Sequence, residues 1–286
     1  MLRFRKYCLF EKNHVFFDPR NLKMKRICLL ITFFLTILPM VGTAQEVQES
    51  PEVLLARAEK LQAEGQPISA LTAYMEANRL APRSPEILWR LGRQYCRLME
   101  DEFFPVDKIR LARVGQHYAH KASMRDPGNA MARLWNAYAL QETSYLMTDA
   151  RGRIAMGPDI YREAWAAIEL DADLSEAWLI LGRHEWDLAL MSEPDQYLAE
   201  RFYGKNRVPE ASVDRAISYF QKAVSLAPQR VAPHLYLGMA YNALGKKELA
   251  RAELEKAVSI ETKEKSDLRH KAEAAALLER TGGSYL

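Results

Sequence analysis

Cysteine is nearly absent from this chain of 286 residues, which has only Cys8, Cys28 and Cys96. A single cysteine beyond the N-terminal segment excludes an internal disulfide framework or a cysteine metal cluster, so stability must come from packing. Cys96 reads as a small core residue. Glycine and proline are also sparse, at 13 each, which argues against long low-complexity stretches. No excess of one charge runs through the chain either. The first 44 residues hold eight of the 40 Lys and Arg but two of the 37 Asp and Glu, so the remainder carries 32 basic and 35 acidic side chains, a net of −3. That balance offers no footprint for a phosphate backbone, and no nucleic-acid partner is expected. There is no glycine-rich phosphate loop, no GxSxG and no pair of cysteines. His117 and His120 share a helix face but lack further ligands at metal-binding spacing. The run Arg183-His184-Glu185-Trp186-Asp187 is not the HExxH arrangement of a zinc protease. No metal, cofactor or catalytic residue is therefore expected, and the chain does not read as an enzyme.

What is present begins with an export signal. From Met24 the chain reads MKRICLLITFFLTILPMVGTAQ: Lys25 and Arg26 form a positive start, Ile27 to Leu38 is apolar, Pro39 breaks the run, and Gly42-Thr43-Ala44 gives small residues for cleavage. The apolar run is shorter than the roughly 20 residues a spanning helix needs. Residues 24–44 are thus expected to be a signal peptide cleaved after Ala44, and the mature protein to be periplasmic or secreted. A retained segment would instead anchor it to a membrane. Residues 1–23 are a basic extension or an unused upstream start, the alternative being initiation at Met24.

After about residue 50 the helix formers Ala, Leu, Glu, Arg and Lys dominate, pointing to an all-α fold. A 34-residue pattern then emerges, in which small and large residues alternate so that two antiparallel helices can pack. From Pro51, one helix carries Leu54, Ala58 and Leu61; Gly65 makes a turn; the second carries Ala70, Tyr74 and Ala77; Pro82 ends the unit. Matching positions recur as Leu88, Leu91, Gly92, Tyr95, Ala122 and Pro127; as Trp135, Ala137, Tyr138 and Ala167; as Trp178, Leu181, Gly182, Ala216, Phe220, Ala223 and Pro228; and as Leu237, Gly238, Tyr241, Gly245, Ala250, Leu254 and Ala257. An alanine-rich helix, with Ala272, Ala274, Ala275 and Ala276, follows as the cap that closes a solenoid's apolar end. The expected architecture of residues 45–286 is a right-handed tetratricopeptide-type solenoid of about five helix pairs, with units near 51–84, 85–129, 130–174, 175–230 and 231–263 and a cap at 264–281.

The departures from this template are also informative. Gly182 and Ala216 stand 34 residues apart, where a regular unit has about 12. The insert, Met191 to Pro209, places Tyr197, Phe202 and Tyr203 among charged residues. The second unit's later helix resumes near Lys108, and the third is stretched between Tyr138 and Tyr161. Such insertions are expected to project from one rim. The segments AMARLWNAYAL, RGRIAMGPDIYREAWAAIELDAD, SEAWLILGRHEWDLAL and VPEASVDRAISYFQKAVSLAP, together with the long insert, resemble the regulator of microtubule dynamics family from about Arg113 to Leu278. Animal members of that group are associated with microtubules, mitochondria and organelle contacts, whereas a signal of this form points to a bacterial envelope. The resemblance implies a helical binding scaffold without an active site.

A protein or peptide partner in the concave groove is the expected ligand. The first helix of each unit supplies the candidates: Trp89 and Arg93; Leu134, Tyr138 and Gln141; Arg183 and Trp186; Leu235 and Asn242. Trp, Tyr and Arg are favoured as interface anchors because they bury large area at low entropy cost.

Overall fold

A computed structural model describes residues 49–204, 211–262 and 265–282. The signal sequence and the basic extension lie outside the described residues. Within them are twelve α-helices and no strand: α1 Pro51–Ala63, α2 Pro67–Leu80, α3 Pro85–Asp101, α4 Pro105–Arg125, α5 Ala130–Tyr145, α6 Ala150–Leu170, α7 Ser175–Ala189, α8 Glu193–Tyr203, α9 Val213–Leu226, α10 Val231–Ala243, α11 Lys247–Ser259 and α12 Lys265–Gly282. Five antiparallel pairs follow in order: α1 with α2, α3 with α4, α5 with α6, α7 with α9, and α10 with α11. The fold is an all-α tetratricopeptide-type solenoid.

Local chemistry sets the helix starts. Pro51, Pro67, Pro85 and Pro105 occupy first-turn positions, where the missing N–H costs nothing. The side chains of Ser50, Ser84, Asn129, Asp149, Ser192 and Ser212 each accept a hydrogen bond from a first-turn backbone N–H, satisfying a donor that the helix leaves open. Gly65 and Gly245 sit at φ values of 72° and 69°, the left-handed region that lets the tight turns of the first and fifth pairs close.

The pairs close at the small residues. Ala58, Ala70, Ala77, Ala119, Ala122, Ala137, Ala164, Ala167, Ala177, Ala216, Ala223, Ala250 and Ala257 are all completely buried. A Cβ on Gly92 would stand 3.1 Å from the Gly115 carbonyl oxygen, and one on Gly115 only 2.9 Å from Cys96 Sγ. Cys96 is accordingly a buried free thiol whose pKa burial pushes up. Between the third and fourth units, Trp165, Trp178 and Tyr219 form an aromatic cluster with ring centroids 5.8–6.1 Å apart, and Trp178 Nε1 donates to the Ala172 carbonyl at 2.9 Å.

The stretched units differ from the sequence expectation. Their extra residues lengthen helices and do not project as loops: α3 has 17 residues, α4 21 and α6 21. Only Glu102, Phe103 and Phe104 connect α3 to α4, and α4 begins at Pro105. The described part of the insert forms α8, which packs on α6 through Ile154, Ala199, Leu198, Phe202 and Tyr203. No helix among the described residues is long and apolar enough to cross a membrane.

Gly182 gives the sharpest test of close approach in the array. A Cβ there would lie 2.4 Å from two ring carbons of the fully buried Phe220. Gly182→Ala is expected to destabilise the protein by about 1–3 kcal/mol, the usual cost of overpacking a filled core. Urea unfolding measures this, and a change below about 0.5 kcal/mol, typical of uninvolved sites, would show that α7 and α9 do not pack at this distance.

Candidate binding groove

The first helices of successive pairs line the inner side of the array, and lengthening α3 carries one polar stripe deep into it. Leu134, Tyr138 and Glu142 follow at four-residue steps on α5, as do Leu179 and Arg183 on α7. With Arg97 and Glu100 on α3 and Ala232 and Tyr236 on α10, they wall a cleft of about 330 Å³. A second cleft of about 240 Å³ shares Glu100, Glu142, Arg183 and Tyr236.

These side chains are fixed by one another. Arg183 Nη1 donates to Glu142 Oε1 at 2.9 Å, and its guanidinium lies 4.6 Å from the Tyr145 ring centre and 5.0 Å from that of Tyr236. A planar cation held between two aromatic rings and a carboxylate has lost its rotamer freedom before any partner arrives. Tyr138 donates its phenol proton to Glu100. Burial, with Glu142 and Glu100 alongside, pushes the Tyr138 pKa well up, so it remains a donor.

The remaining wall is the chain's own C-terminal helix. Ser266, Asp267, Arg269 and His270 of α12 border the first cleft, and Arg269, His270 and Glu273 the second. Lys265 Nζ reaches Asp101 Oδ2 on α3 at 2.8 Å, and the His270 ring stands edge-on to Tyr236 with centroids 6.3 Å apart. The cap therefore closes the end of the array and also crosses its concave side. Both clefts are at or below the low end of the range for small-ligand pockets. A docked helix, about 10–12 Å across, needs more room than α12 leaves.

Of the residues read from sequence, Leu134, Tyr138 and Arg183 line the clefts. The others stand elsewhere. Trp89 is 6% exposed and packs on Ala122 and Ala132, sealing the second unit to the third. Arg93 turns towards the first unit, with Nη2 2.6 Å from Glu59 Oε1 and 2.9 Å from the Tyr74 hydroxyl. Gln141 is buried, and its Nε2 donates to the Ile180 carbonyl at 3.1 Å. Gln141 and Trp186 instead border a separate cavity of about 510 Å³ between α5, α6, α7 and α8. Leu235 is fully buried with Val231, Leu254, Ala257, Ile260 and Ala274, in the core beneath α12. Asn242 is exposed at the end of α10. The groove residues missed from sequence are Arg97, Glu100, Glu142, Glu176, Arg230 and Tyr236. Continuing the four-residue steps from Arg93 and Tyr138 would have found Arg97 and Glu142.

Comparison with known proteins agrees with this architecture. Residues 54–282 match the family described as Regulator of microtubule dynamics protein 1-3. The chain belongs to the regulator of microtubule dynamics family. Regulator of microtubule dynamics protein 2 of Mus musculus is 23% identical over 201 residues, covering 70% of this chain and 48% of the mouse protein. Regulator of microtubule dynamics protein 1 of Pongo abelii is 27% identical over 215 residues, covering 73% of this chain and 64% of that protein. The chain thus spans about half to two-thirds of the length of these relatives. Among solved structures, a thermophilic tetratricopeptide repeat protein from Thermus thermophilus superposes with a TM-score of 0.56 at 17% identity, over 79% of this chain and all of that one. Tetratricopeptide-like scaffolds of this kind are generally not enzymes.

His270 provides a pH test of the groove as built. Its pKa is lowered to about 4 by burial, then by Arg269 and Arg183, against opposing pulls from Asp267 and Glu142; the Tyr236 ring faces it from α10. The docked ring is neutral. Its contribution to stability is therefore complete above the ordinary histidine value near 6.5 and is lost as the pH falls towards 4. Between pH 7.5 and 4.5 the wild type is expected to lose roughly 2 kcal/mol more unfolding free energy than His270→Gln. Identical pH dependence in the two proteins would show that His270 is solvated.

Proposed function

We propose that the protein is an exported helical-repeat scaffold that binds a segment of another protein along the concave face of α3, α5, α7 and α10. The observation that carries this reading is the prearranged Arg183, held between Tyr145 and Tyr236 and paired with Glu142. Around it, the Tyr138 hydroxyl and the acids and arginines of three consecutive units face one cleft. Aromatic and arginine side chains whose ordering cost is already met make efficient anchors. The near-neutral charge after Ala44 favours a protein partner over a nucleic acid. Export is supported by the sequence from Met24 to Ala44, with its basic start, apolar run and small residues at the cleavage point. If the run Ile27–Leu38 stays attached, the same groove belongs to a membrane-anchored adaptor.

The test is crosslinking in the native cell envelope with the tagged full chain, followed by mass spectrometry. One protein is expected to be enriched with the wild type and with the rim variant Tyr197→Ala, and to be lost by at least tenfold with Tyr138→Ala plus Tyr236→Ala. Equal enrichment in all three would remove the concave face from the mechanism. Intact mass of the purified protein reads the other half of the proposal: loss of residues 1–44 supports export with cleavage, and an uncleaved N-terminus moves the reading to the anchored adaptor.

A further inference from the structure

α12 is an 18-residue helix in which, among the described side chains, Ala274 alone is fully buried. Leu277 and Leu278 are partly buried beside it, while Leu268 is 60% exposed. Its reach to the far wall rests on Lys265, whose side chain is 71% exposed where it meets Asp101, the kind of pair that contributes little to stability. Lys271 Nζ donates to the Ile260 carbonyl at 2.6 Å at the other side of the helix. This helix borders both concave clefts and sets His270 against Tyr236. It also covers Val231, Leu235, Leu254, Ala257 and Ile260. Leaving that cluster bare would expose a block of apolar surface to water.

We infer that the concave face is a helix seat with α12 as its resident occupant, and that the partner binds by exchange, as an amphipathic helix presenting alanine-sized residues to the Leu235 cluster, an aromatic ring to Tyr236 and a cation to Asp101. This rests on the groove reading above and names its partner class. Two constraints fix that class. The clefts left beside α12 are too small for a second helix, so a helical partner and α12 cannot be seated together. The Leu235 cluster must stay covered, so the incoming helix has to reproduce the small apolar face that Ala274, Leu277 and Leu278 now supply. An extended peptide cannot present that continuous apolar face, and a strongly acidic one would set carboxylates against the Leu235 cluster and Asp101.

The seat is testable without knowing the natural partner. The probe is a fluorescein-labelled peptide of residues 265–282, titrated into the full chain and read by anisotropy. Lys265→Glu plus Ala274→Asp, which change α12 and leave α3, α5, α7 and α10 as they are, is expected to release the resident helix, expose Arg269 and Lys271 to trypsin, and raise peptide affinity at least tenfold over wild type. Adding Tyr236→Ala should reverse the gain. If the double variant loses helical circular dichroism, Lys265→Glu alone is read, with about a threefold gain expected. Equal peptide binding by wild type and released chain, or a gain that survives Tyr236→Ala, overturns the inference. So does continued trypsin protection of α12 in the variants. The envelope crosslinking separates this from the groove reading. A partner captured equally by wild type and released chain leaves the groove in place and removes the exchange. Peptide exchange with no wall-dependent capture leaves the seat and removes the groove as the site of a natural partner.

Discussion

The structure depends on how closely its helices approach at alanine and glycine. Each pair has buried small residues where larger ones would hold the axes apart: Ala58 with Ala70 and Ala77, Gly92 with Gly115 and Ala119, Ala137 with Ala164 and Ala167, Gly182 beneath Phe220, and Gly238 under Leu254. A short distance between axes lets the large side chains on either side, such as Tyr74, Leu91, Leu181 and Leu254, fill the space above and below the crossing. Dense packing at both levels lets strain pass from one pair to the next. The orientation of each inner helix face follows from this spacing, so the groove is a consequence of contacts that do not touch it.

Charge then sets how successive units meet. Glu59 of the first pair accepts from Arg90 and Arg93 of the second. Arg133 meets the buried Glu163 at 3.0 Å within the third, and Glu176 of the fourth meets Arg230 at the fifth at 2.8 Å. The exposed pairs among them contribute little by themselves. Glu59, shared between Arg90 and Arg93 whose side chains are 20% and 13% exposed, opposes sliding between the first two units, because displacement would leave partly buried charge without its partner. The same logic operates inside the groove, where Arg183 with Glu142 and Tyr138 with Glu100 satisfy each other across adjacent units. The walls are therefore polar and already ordered, a combination that favours selectivity over indiscriminate stickiness.

The periodic part of this was legible in the sequence. Ala58, Gly65, Ala70, Tyr74 and Ala77 mark one unit, and their counterparts mark the others, because only small residues satisfy the crossings and only glycine the tight turns. Helix length was not legible. Nothing in the spacing after Gly92 distinguishes a loop from another turn of helix, and Phe103-Phe104-Pro105 shows the break only by its proline. The cleft lining differed for another reason: Trp89 packs between the second and third units and Arg93 pairs with Glu59, which the spacing does not report, while the turn added after Arg97 brings Glu100 to the cleft. Leu235 misled differently. Its position in the repeat faces inwards, but α12 lies over it, and no local pattern reports which surface a distant helix will cover.

The insert makes a related point about where this chain departs from a regular array. α8 lies against α6, outside the groove, and its seat is exacting: a Cβ on Gly157 would fall 1.3 Å from the Tyr203 hydroxyl. Tyr203 in turn lies beside the His184 ring, with centroids 5.6 Å apart, and His184 is on the helix that carries Arg183 into the groove. The insert thus braces α7 from behind while the Arg183 face stays open to the cleft. An extra segment placed this way stiffens one wall without narrowing the opening. The groove's width is then set by the spacing of the repeats and by α12.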